Sequence, residues 1–121
     1  IQVDLLGQVS ADMIGPKQFS GVGGQLDFLR GAAMAEGGKS IIAIPSTAAK
    51  GKISRIVSRL DVGAAVTDPR YDVMYVVTEY GIADLWGKTV NQRAKELIKI
   101  ANPAFQASLE REYYEQIAKV Q

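Results

Sequence analysis

The sequence predicts an α/β fold with a layered, open mixed sheet flanked by helices. Short apolar runs rich in β-branched residues, such as 41–44 and 73–78, alternate with turns in the first two thirds of the chain. In the last third, apolar residues recur at helical spacing. The predicted order is a hairpin, one helix, several strands and two terminal helices, which fits a layered sheet better than regular βαβ alternation.

Several segments have the composition of strands. Two short strands, 1–6 and 8–11, are expected to form a hairpin around Gly7 at an edge or at the surface. Residues 40–44 form a continuous apolar run, which is typical of a strand buried on both faces. Further strands are predicted over 53–57, 64–67 and 73–78.

Three helices are predicted. The first, 25–36, follows a glycine-rich loop and ends before two consecutive glycines. Two more occupy 91–101 and the terminal segment, where apolar residues recur every four positions. Asn102 suits the N-cap of the terminal helix and Pro103 its first helical position. Residues 81–86 are predicted to form a single helical turn.

The bulk composition excludes several classes of function. A net charge of +1 argues against a nucleic-acid partner that relies on a basic surface. The chain has no cysteine and no histidine, so disulfides, thiolate catalysis, a Ser-His-Asp triad and the usual zinc sites are excluded, and no metal is expected. No apolar run reaches the roughly 18 residues of a membrane span, and no signal-peptide pattern begins the chain, so we expect a cytoplasmic location and no membrane partner.

The chain is expected to be one domain of a longer protein. With 121 residues and 47% hydrophobic side chains, it can bury one substantial core, which predicts a single domain over 1–121. Residues 1–6 alternate in part and include no initiator Met, so the chain is expected to start within a strand. A site at its boundary would then be only half present.

The most informative segment is the glycine-rich loop before the first helix, Gly21-Val22-Gly23-Gly24-Gln25. Glycines allow left-handed backbone dihedrals and let a ligand approach the amides without interference from a Cβ atom. Free N–H groups at the helix start suit a phosphate, a carboxylate or an oxyanion formed during acyl transfer. The alternative is a tight turn that leads into a helix, and the glycines alone leave the two interpretations equally weighted.

Known phosphate-loop patterns do not fit. Residues 38–40 end like a Walker loop, but the first glycine is missing and a strand follows. Residues 81–89 have five residues between the two glycines where four are needed. The dinucleotide fingerprint also fails, because Leu26 occupies the place of its third glycine.

Charged residues mark two further candidate sites. Five cations and no anion lie between 37 and 60: Lys39, Lys50, Lys52, Arg55 and Arg59. They form a solvated face, or the loop 46–52 contacts the phosphates of a nucleotide-containing ligand through Lys50 and Lys52. Glu79 lies at a strand end next to glycine, where α/β proteins bind ligands, or it caps the following short helix.

Four segments resemble one known family: 20–28, 37–46, 52–57 and 76–83. Their order and spacing are similar to the C-terminal domain of the acetyl-CoA hydrolase/transferase family, which includes 4-hydroxybutyrate and butyrate:acetate CoA-transferases. The resemblance runs nearly end to end. It departs at Met74, Asn102 and Trp86, where family members commonly have histidine, histidine and arginine.

The resemblance implies a two-half enzyme in which this chain is the CoA-binding half. A glutamate upstream of Ile1 would carry a glutamyl-CoA thioester, and backbone amides at Gly23 and Gly24 would help to form the oxyanion hole. The residues implied to bind CoA are Gly21, Val22, Gly23, Gly24, Gln25, Lys50 and Lys52. Glu79 would have an auxiliary role near the acyl or carboxylate pocket.

The implied substrates are an acyl-CoA and a short carboxylate, exchanged by a CoA-transferase. Two alternatives stay open: an acetyl-CoA (acyl-CoA) hydrolase, in which water resolves the same intermediate, and a non-catalytic domain that binds a CoA-like anion. The acyl group stays unassigned. A homodimer is one option for the assembly, because the terminal helices can pack within a subunit or between two.

Overall fold

The computed structural model describes residues 1–120, and its secondary structure confirms the α/β class. The strands are β1 (Gln2–Asp4), β2 (Val9–Ser10), β3 (Met13–Ile14), β4 (Lys17–Gln18), β5 (Ile41–Ala43), β6 (Thr47–Ala48), β7 (Ile53–Ser54), β8 (Ile56–Val57), β9 (Tyr75–Thr78) and β10 (Gly81–Asp84). The helices are α1 (Gln25–Met34), α2 (Val90–Ile100) and α3 (Pro103–Gln116), followed by a 3-10 turn at Ala118–Val120.

The strands form two small mixed sheets and two separate hairpins. In the order β2-β1-β8, the central strand β1 is antiparallel to β2 and parallel to β8. In the order β10-β9-β5, the central strand β9 is antiparallel to β10 and parallel to β5. The pairs β3-β4 and β6-β7 are antiparallel hairpins. The predicted mixed sheet is therefore present, divided into short pieces.

The predicted N-terminal hairpin forms, with β2 at an edge of its sheet as expected, but it is buried rather than at the surface. Val3, on the central strand β1, and Val9, on β2, are both fully buried. Gly7 makes the turn with φ +91°. The Asp4 carboxylate accepts hydrogen bonds from the N–H groups of Leu6 and Gln8, both at 3.0 Å, and so closes the turn from inside. Burial raises the pKa of Asp4, and these hydrogen bonds oppose the increase.

The expectation of a doubly buried strand over 40–44 is wrong. Ile42 is buried, but its neighbours Ile41 and Ala43 are exposed, and Ile41 retains 52% of its accessible surface. β5 is an edge strand of its sheet in this chain, so only one of its faces meets the core. The second apolar face of this strand would be buried only if another part of the protein covered it.

The sheet β10-β9-β5 has one covered face and one open face. Helix α2 packs along β10 on the covered face, where Val76 and Ala83 are completely buried. On the opposite side, Ile41, Ala43 and Ile82 face solvent, and Ile82 is 65% exposed. We call this surface the open face.

Two local predictions are wrong. Residues 81–86 do not form a helical turn, since β10 pairs with β9 across a two-residue loop that places Gly81 opposite Thr78. Alternating exposed Ile82 and buried Ala83 fit a half-buried strand. Residues 64–67 do not form a strand. The pairing in this region is an isolated bridge between the neighbouring Asp68 and Val9 of β2.

The three predicted helices are confirmed, with small shifts at their ends. Helix α1 ends two residues before the predicted boundary, and α2 begins one residue earlier, at a capping box between Thr89 and Gln92. Asn102 caps α3 as predicted by accepting from the N–H of Ala104 at 3.0 Å, and Pro103 follows at the first helical position. No helix within residues 1–120 is both long and apolar enough to cross a membrane.

A buried arginine of α2 joins that helix to three connecting segments of the fold. The Arg93 guanidinium donates to the carbonyl oxygens of Arg70 at 2.6 Å, Lys88 at 3.2 Å and Leu6 at 3.4 Å. Burial lowers the pKa of Arg93, and the charge of Arg70 adds to this effect. These carbonyl contacts hold the first hairpin, the segment before β9 and the start of α2 together, which fixes the frame that carries the candidate site.

Candidate functional site

The glycine loop, residues 20–24, is an exposed connection between β4 and α1. Gly23 has φ +61°, a left-handed conformation that favours glycine. Apart from the adjacent residues, the described part of the chain has no heavy atom within 4 Å of the position that a Cβ would take on Gly21 or Gly23. A ligand can therefore approach the backbone of this loop closely.

The loop leads directly into a helix start without a side-chain cap. Gly24 is the N-cap of α1, and its carbonyl accepts the first helical hydrogen bond from Phe28 at 3.1 Å. The first N–H groups of a helix lack intrahelical partners and carry partial positive charge. Glycine at the N-cap has no side chain with which to satisfy them. The loop and the helix start together offer backbone donors that can meet a carboxylate, a phosphate or an oxyanion.

Both ends of the glycine loop are tied to the same part of the core. Before the loop, the N–H groups of 19–20 donate to the Asp12 carbonyl at 2.9 and 3.1 Å. After the loop, Gln25 Nε2 donates to Asp68 Oδ2. Thr67 Oγ1 in turn donates to Asp12 Oδ1, which connects the two anchors. The loop is thus a short exposed span with fixed ends.

Sequence reasoning did not identify Asp12 or Asp68. The Asp68-Pro69 pair predicts a turn, and that prediction concerns only the backbone. Gln25 and Asp68 are 43 positions apart, and a single sequence carries no local pattern that pairs them. Only the tertiary structure brings them together.

The carboxylates near the loop do not form a metal site. Hydrogen bonds from Thr67 and Gln18 lower the pKa of Asp12, whereas burial raises the pKa of Asp68. Asp72 pairs with an arginine of α1 at 3.3 Å. In the part of the chain that the structure describes, no group of three or more acidic side chains could hold a metal ion.

Glu79 occupies the loop between β9 and β10 and links the ends of two parallel strands. Its carboxylate accepts from the Ser46 N–H at 2.9 Å and from the Ser46 hydroxyl. Ser46 is completely buried and follows β5, the parallel neighbour of β9. The two hydrogen bonds lower the pKa of Glu79 and so favour the carboxylate form. Strand β10 rather than a helix follows Glu79, so the alternative role as a helix cap is excluded.

The loop 46–52 forms the tight β6-β7 hairpin, which lies across a cleft from the β3-β4 hairpin. Residues 49–51 all have positive φ, and Lys50 is exposed at the tip of the β6-β7 hairpin. Lys52 borders a cleft of roughly 550 Å³ between β7-β8 and α3. Arg55 and Arg59 donate to backbone carbonyls, at 3.2 and 3.3 Å respectively, so these two cations contribute to structure. Contact of Lys50 and Lys52 with the phosphates of a nucleotide-containing ligand stays a prediction.

Two apolar clefts adjoin the glycine loop. One, of roughly 370 Å³, separates the start of α1 from β5 and is lined by Ile1, Gln25, Phe28, Leu29 and 41–43. The other, of roughly 500 Å³, lies between the β3-β4 and β6-β7 hairpins and includes Phe19 next to the loop. Ligand sites in proteins commonly have this size and an apolar lining with a few polar groups.

One departure from the family pattern has a structural explanation. Asn102, one of the three departures noted in the sequence, caps α3 and donates to the Tyr80 hydroxyl at 3.3 Å. Met74 accepts a weak hydrogen bond from the Ser40 N–H through its sulfur at 3.5 Å. Trp86 is half exposed, and nothing in the structure explains this substitution.

Comparison with known proteins identifies a family and several relatives. Residues 1–113 match the acetyl-CoA hydrolase/transferase C-terminal domain. A 4-hydroxybutyrate coenzyme A transferase from Clostridium kluyveri is 63% identical over 113 residues, which cover 93% of this chain and 26% of that protein. The chain therefore spans about a quarter of the length of the relative it matches.

Solved structures give the same assignment. The crystal structure of RipA from Yersinia pestis aligns with a TM-score of 0.86 and 45% identity, covering 94% of this chain and 26% of that one. A 4-hydroxybutyrate CoA-transferase from Porphyromonas gingivalis aligns with a TM-score of 0.67 and 45% identity, covering 91% of this chain and 25% of that one. The resemblance inferred from the sequence motifs is confirmed.

Proposed function

This chain belongs to the acetyl-CoA hydrolase/transferase C-terminal domain family, and from that membership we propose that it is the CoA-binding part of an enzyme that transfers CoA between a short-chain acyl-CoA and a carboxylate. The observation that carries the proposal is the exposed glycine loop. It combines a left-handed glycine, an uncapped helix start and two fixed ends. Backbone donors held in this way suit the oxygen of a thioester carbonyl.

In the proposed reaction, a glutamate in the preceding part of the longer protein attacks the thioester carbonyl of the acyl-CoA. The N–H groups at Gly23 and Gly24 stabilise the oxyanion, and departure of the CoA thiolate produces a mixed anhydride. The thiolate then attacks the glutamyl carbonyl, which releases the first carboxylate and forms a glutamyl-CoA thioester. The acceptor carboxylate reverses these steps. One well-placed oxyanion donor contributes about 3 kcal/mol to such a transition state.

The remaining candidate residues are proposed to bind and orient CoA. Gly21 and Val22 continue the exposed backbone of the loop around the thioester, and half-buried Gln25 follows at the start of α1. Lys50 and Lys52 would meet the phosphates of CoA, because an exposed lysine on a hairpin acts as a mobile point charge. Glu79 is proposed to border the acyl or carboxylate pocket, since the carboxyl ends of parallel strands are where α/β proteins bind ligands.

We further propose that residues 1–121 are one domain and that the rest of the protein covers the open face. Exposed Ile41, Ala43 and Ile82 lie on a sheet whose strands β5 and β9 are parallel. Parallel strands are normally buried on both faces. The relative from Clostridium kluyveri is about four times as long as this chain, so its preceding part has enough residues to supply the missing layer.

The reaction is tested with the full-length protein by steady-state kinetics. Acetyl-CoA is supplied with and without a second carboxylate, either 4-hydroxybutyrate or butyrate, and both the new acyl-CoA and free CoA are measured. Transfer predicts that the new thioester forms only with the acceptor and that little free CoA accumulates. Release of CoA at the same rate without an acceptor would instead identify a hydrolase. Tight CoA binding without turnover would favour a non-catalytic domain.

A further inference from the structure

A buried carboxylate beside the glycine loop has no role in the proposed chemistry. Asp68 is completely buried, and its main chain is fixed by two hydrogen bonds of 3.1 Å with Val9 of β2. Its Oδ2 accepts from Gln25, while Oδ1 is buried without a hydrogen-bond partner among residues 1–120. An incompletely paired buried carboxylate is costly to a fold. This cost raises the question of what Asp68 contributes besides stability.

The group that Asp68 contacts is the end of the glycine loop. Gln25 is the first residue of α1 and directly follows Gly24. Its side chain donates to Asp68, and the backbone of Asp68 forms an isolated bridge with β2. The start of α1 is therefore tethered to the edge of that sheet. The amide donors of Gly23 and Gly24 lie between this tether and the fixed 19–20 end of the loop.

The other end of the glycine loop, at residues 19–20, is held through Thr67, the neighbour of Asp68 in the chain. Ala11 N–H donates to Thr67 Oγ1 at 2.8 Å, and the Thr67 hydroxyl donates to Asp12 Oδ1. Asp12 holds residues 19–20 through its carbonyl. Consecutive residues 67–68 therefore support both ends of the loop.

We propose that Asp68 is a positioning residue that acts through Gln25 to fix the backbone donors of the glycine loop. This inference rests on the proposed function, because it assigns the loop amides to the thioester oxygen. Donors of this kind have to be held within about 0.5 Å of the productive geometry. A misplacement of about 1 Å can reduce the rate roughly 100-fold.

The test exchanges donor and acceptor in the full-length protein. Gln25→Glu places two carboxylates against each other and abolishes the tether. The double variant Gln25→Glu/Asp68→Asn restores a hydrogen bond with reversed polarity, because the amide introduced on the β2 side can donate to the carboxylate introduced at the start of α1. We expect the single variant to lower kcat by about 10- to 100-fold with less than about a 3-fold change in KM for the acyl-CoA. The double variant should recover kcat to within about 3-fold of the wild-type value.

Asp72→Asn is the matched control, since Asp72 also contacts α1, through Arg30 at 3.3 Å, but not the loop. It should leave kcat unchanged. Hydrogen exchange of amides 21–25 gives a readout that does not depend on catalysis: exchange should accelerate in Gln25→Glu and return to the wild-type rate in the double variant. Asp68→Ala, which removes the acceptor without adding charge, should accelerate it as well.

Two results would overturn the positioning role. One is wild-type exchange and kcat in Gln25→Glu, and the other is a folded double variant that recovers neither. If the wild-type protein transfers no CoA while the exchange pattern follows the expected order, the tether stands and the proposed function fails. If wild-type transfer is normal and the double variant stays impaired, the proposed function stands and the tether fails.

Discussion

Gly23→Ala is the most direct perturbation of the proposed oxyanion donors. Gly23 has φ +61°, and an L-residue in this region costs about 1–2 kcal/mol. Within the described residues, the added methyl group meets no heavy atom within 4 Å except on its chain neighbours, so the cost is conformational rather than steric. Because the loop ends are fixed, relief of the strain has to rotate the peptide groups between them. That rotation moves the N–H of Gly24 away from its target.

The expected loss is therefore close to that of one oxyanion donor, about 100-fold in kcat, with a small change in KM. Transfer of CoA from acetyl-CoA to butyrate by the full-length protein measures it. Gly15→Ala is the matched control: it adds the same methyl group at φ +55°, also in open space, but in the β3-β4 turn outside the glycine loop, and should change kcat by less than about 3-fold. Equal losses in the two variants, or wild-type kcat in Gly23→Ala, would refute the reasoning.

Four further outcomes are expected. The isolated residues 1–121 should show no turnover in the same assay, because the proposed nucleophile lies in the preceding part of the protein; measurable transfer would contradict this. Gly23→Val should lower the activity of the full-length protein more than Lys52→Ala, since neighbouring cations can replace a lysine at the rim. The stability contributed by ionised Glu79 is present above its unfolded pKa and is lost as the pH falls through its lowered folded pKa, so Glu79→Gln should flatten the acid limb of a urea-unfolding series. Gly38→Ala should destabilise the fold by about 1–3 kcal/mol in urea unfolding, because the new Cβ would lie 1.9 Å from a carbonyl oxygen of the first helix.

The helices were predictable because their signals are local. Asn102 and Pro103 mark the start of α3 within two adjacent positions, and the glycines before α1 mark its beginning. The glycine loop could be located from composition alone, and its motif order indicated the family. These local patterns cannot predict the tertiary hydrogen bonds that hold the two ends of the loop.

The strands were harder to predict because their burial depends on what lies beside them. The apolar residues within 81–86 have a spacing that fits a helical turn, yet residues 81–84 pair with β9 as a strand. The run 40–44 correctly indicated a strand, but its second face is exposed in this chain. Asp68 was missed for a similar reason, since its partner Gln25 is near only after folding.

The open face also has a consequence for work on the isolated domain. Apolar side chains such as Ile41 and Ile82, which lie on the two edge strands of the sheet, offer a surface on which a second copy can stack or add a strand. Self-association should then increase with protein concentration, and a melting temperature recorded at high concentration would report dimer dissociation together with unfolding. Sedimentation at several concentrations should precede any stability measurement, and Ile82→Lys offers a monomeric reference.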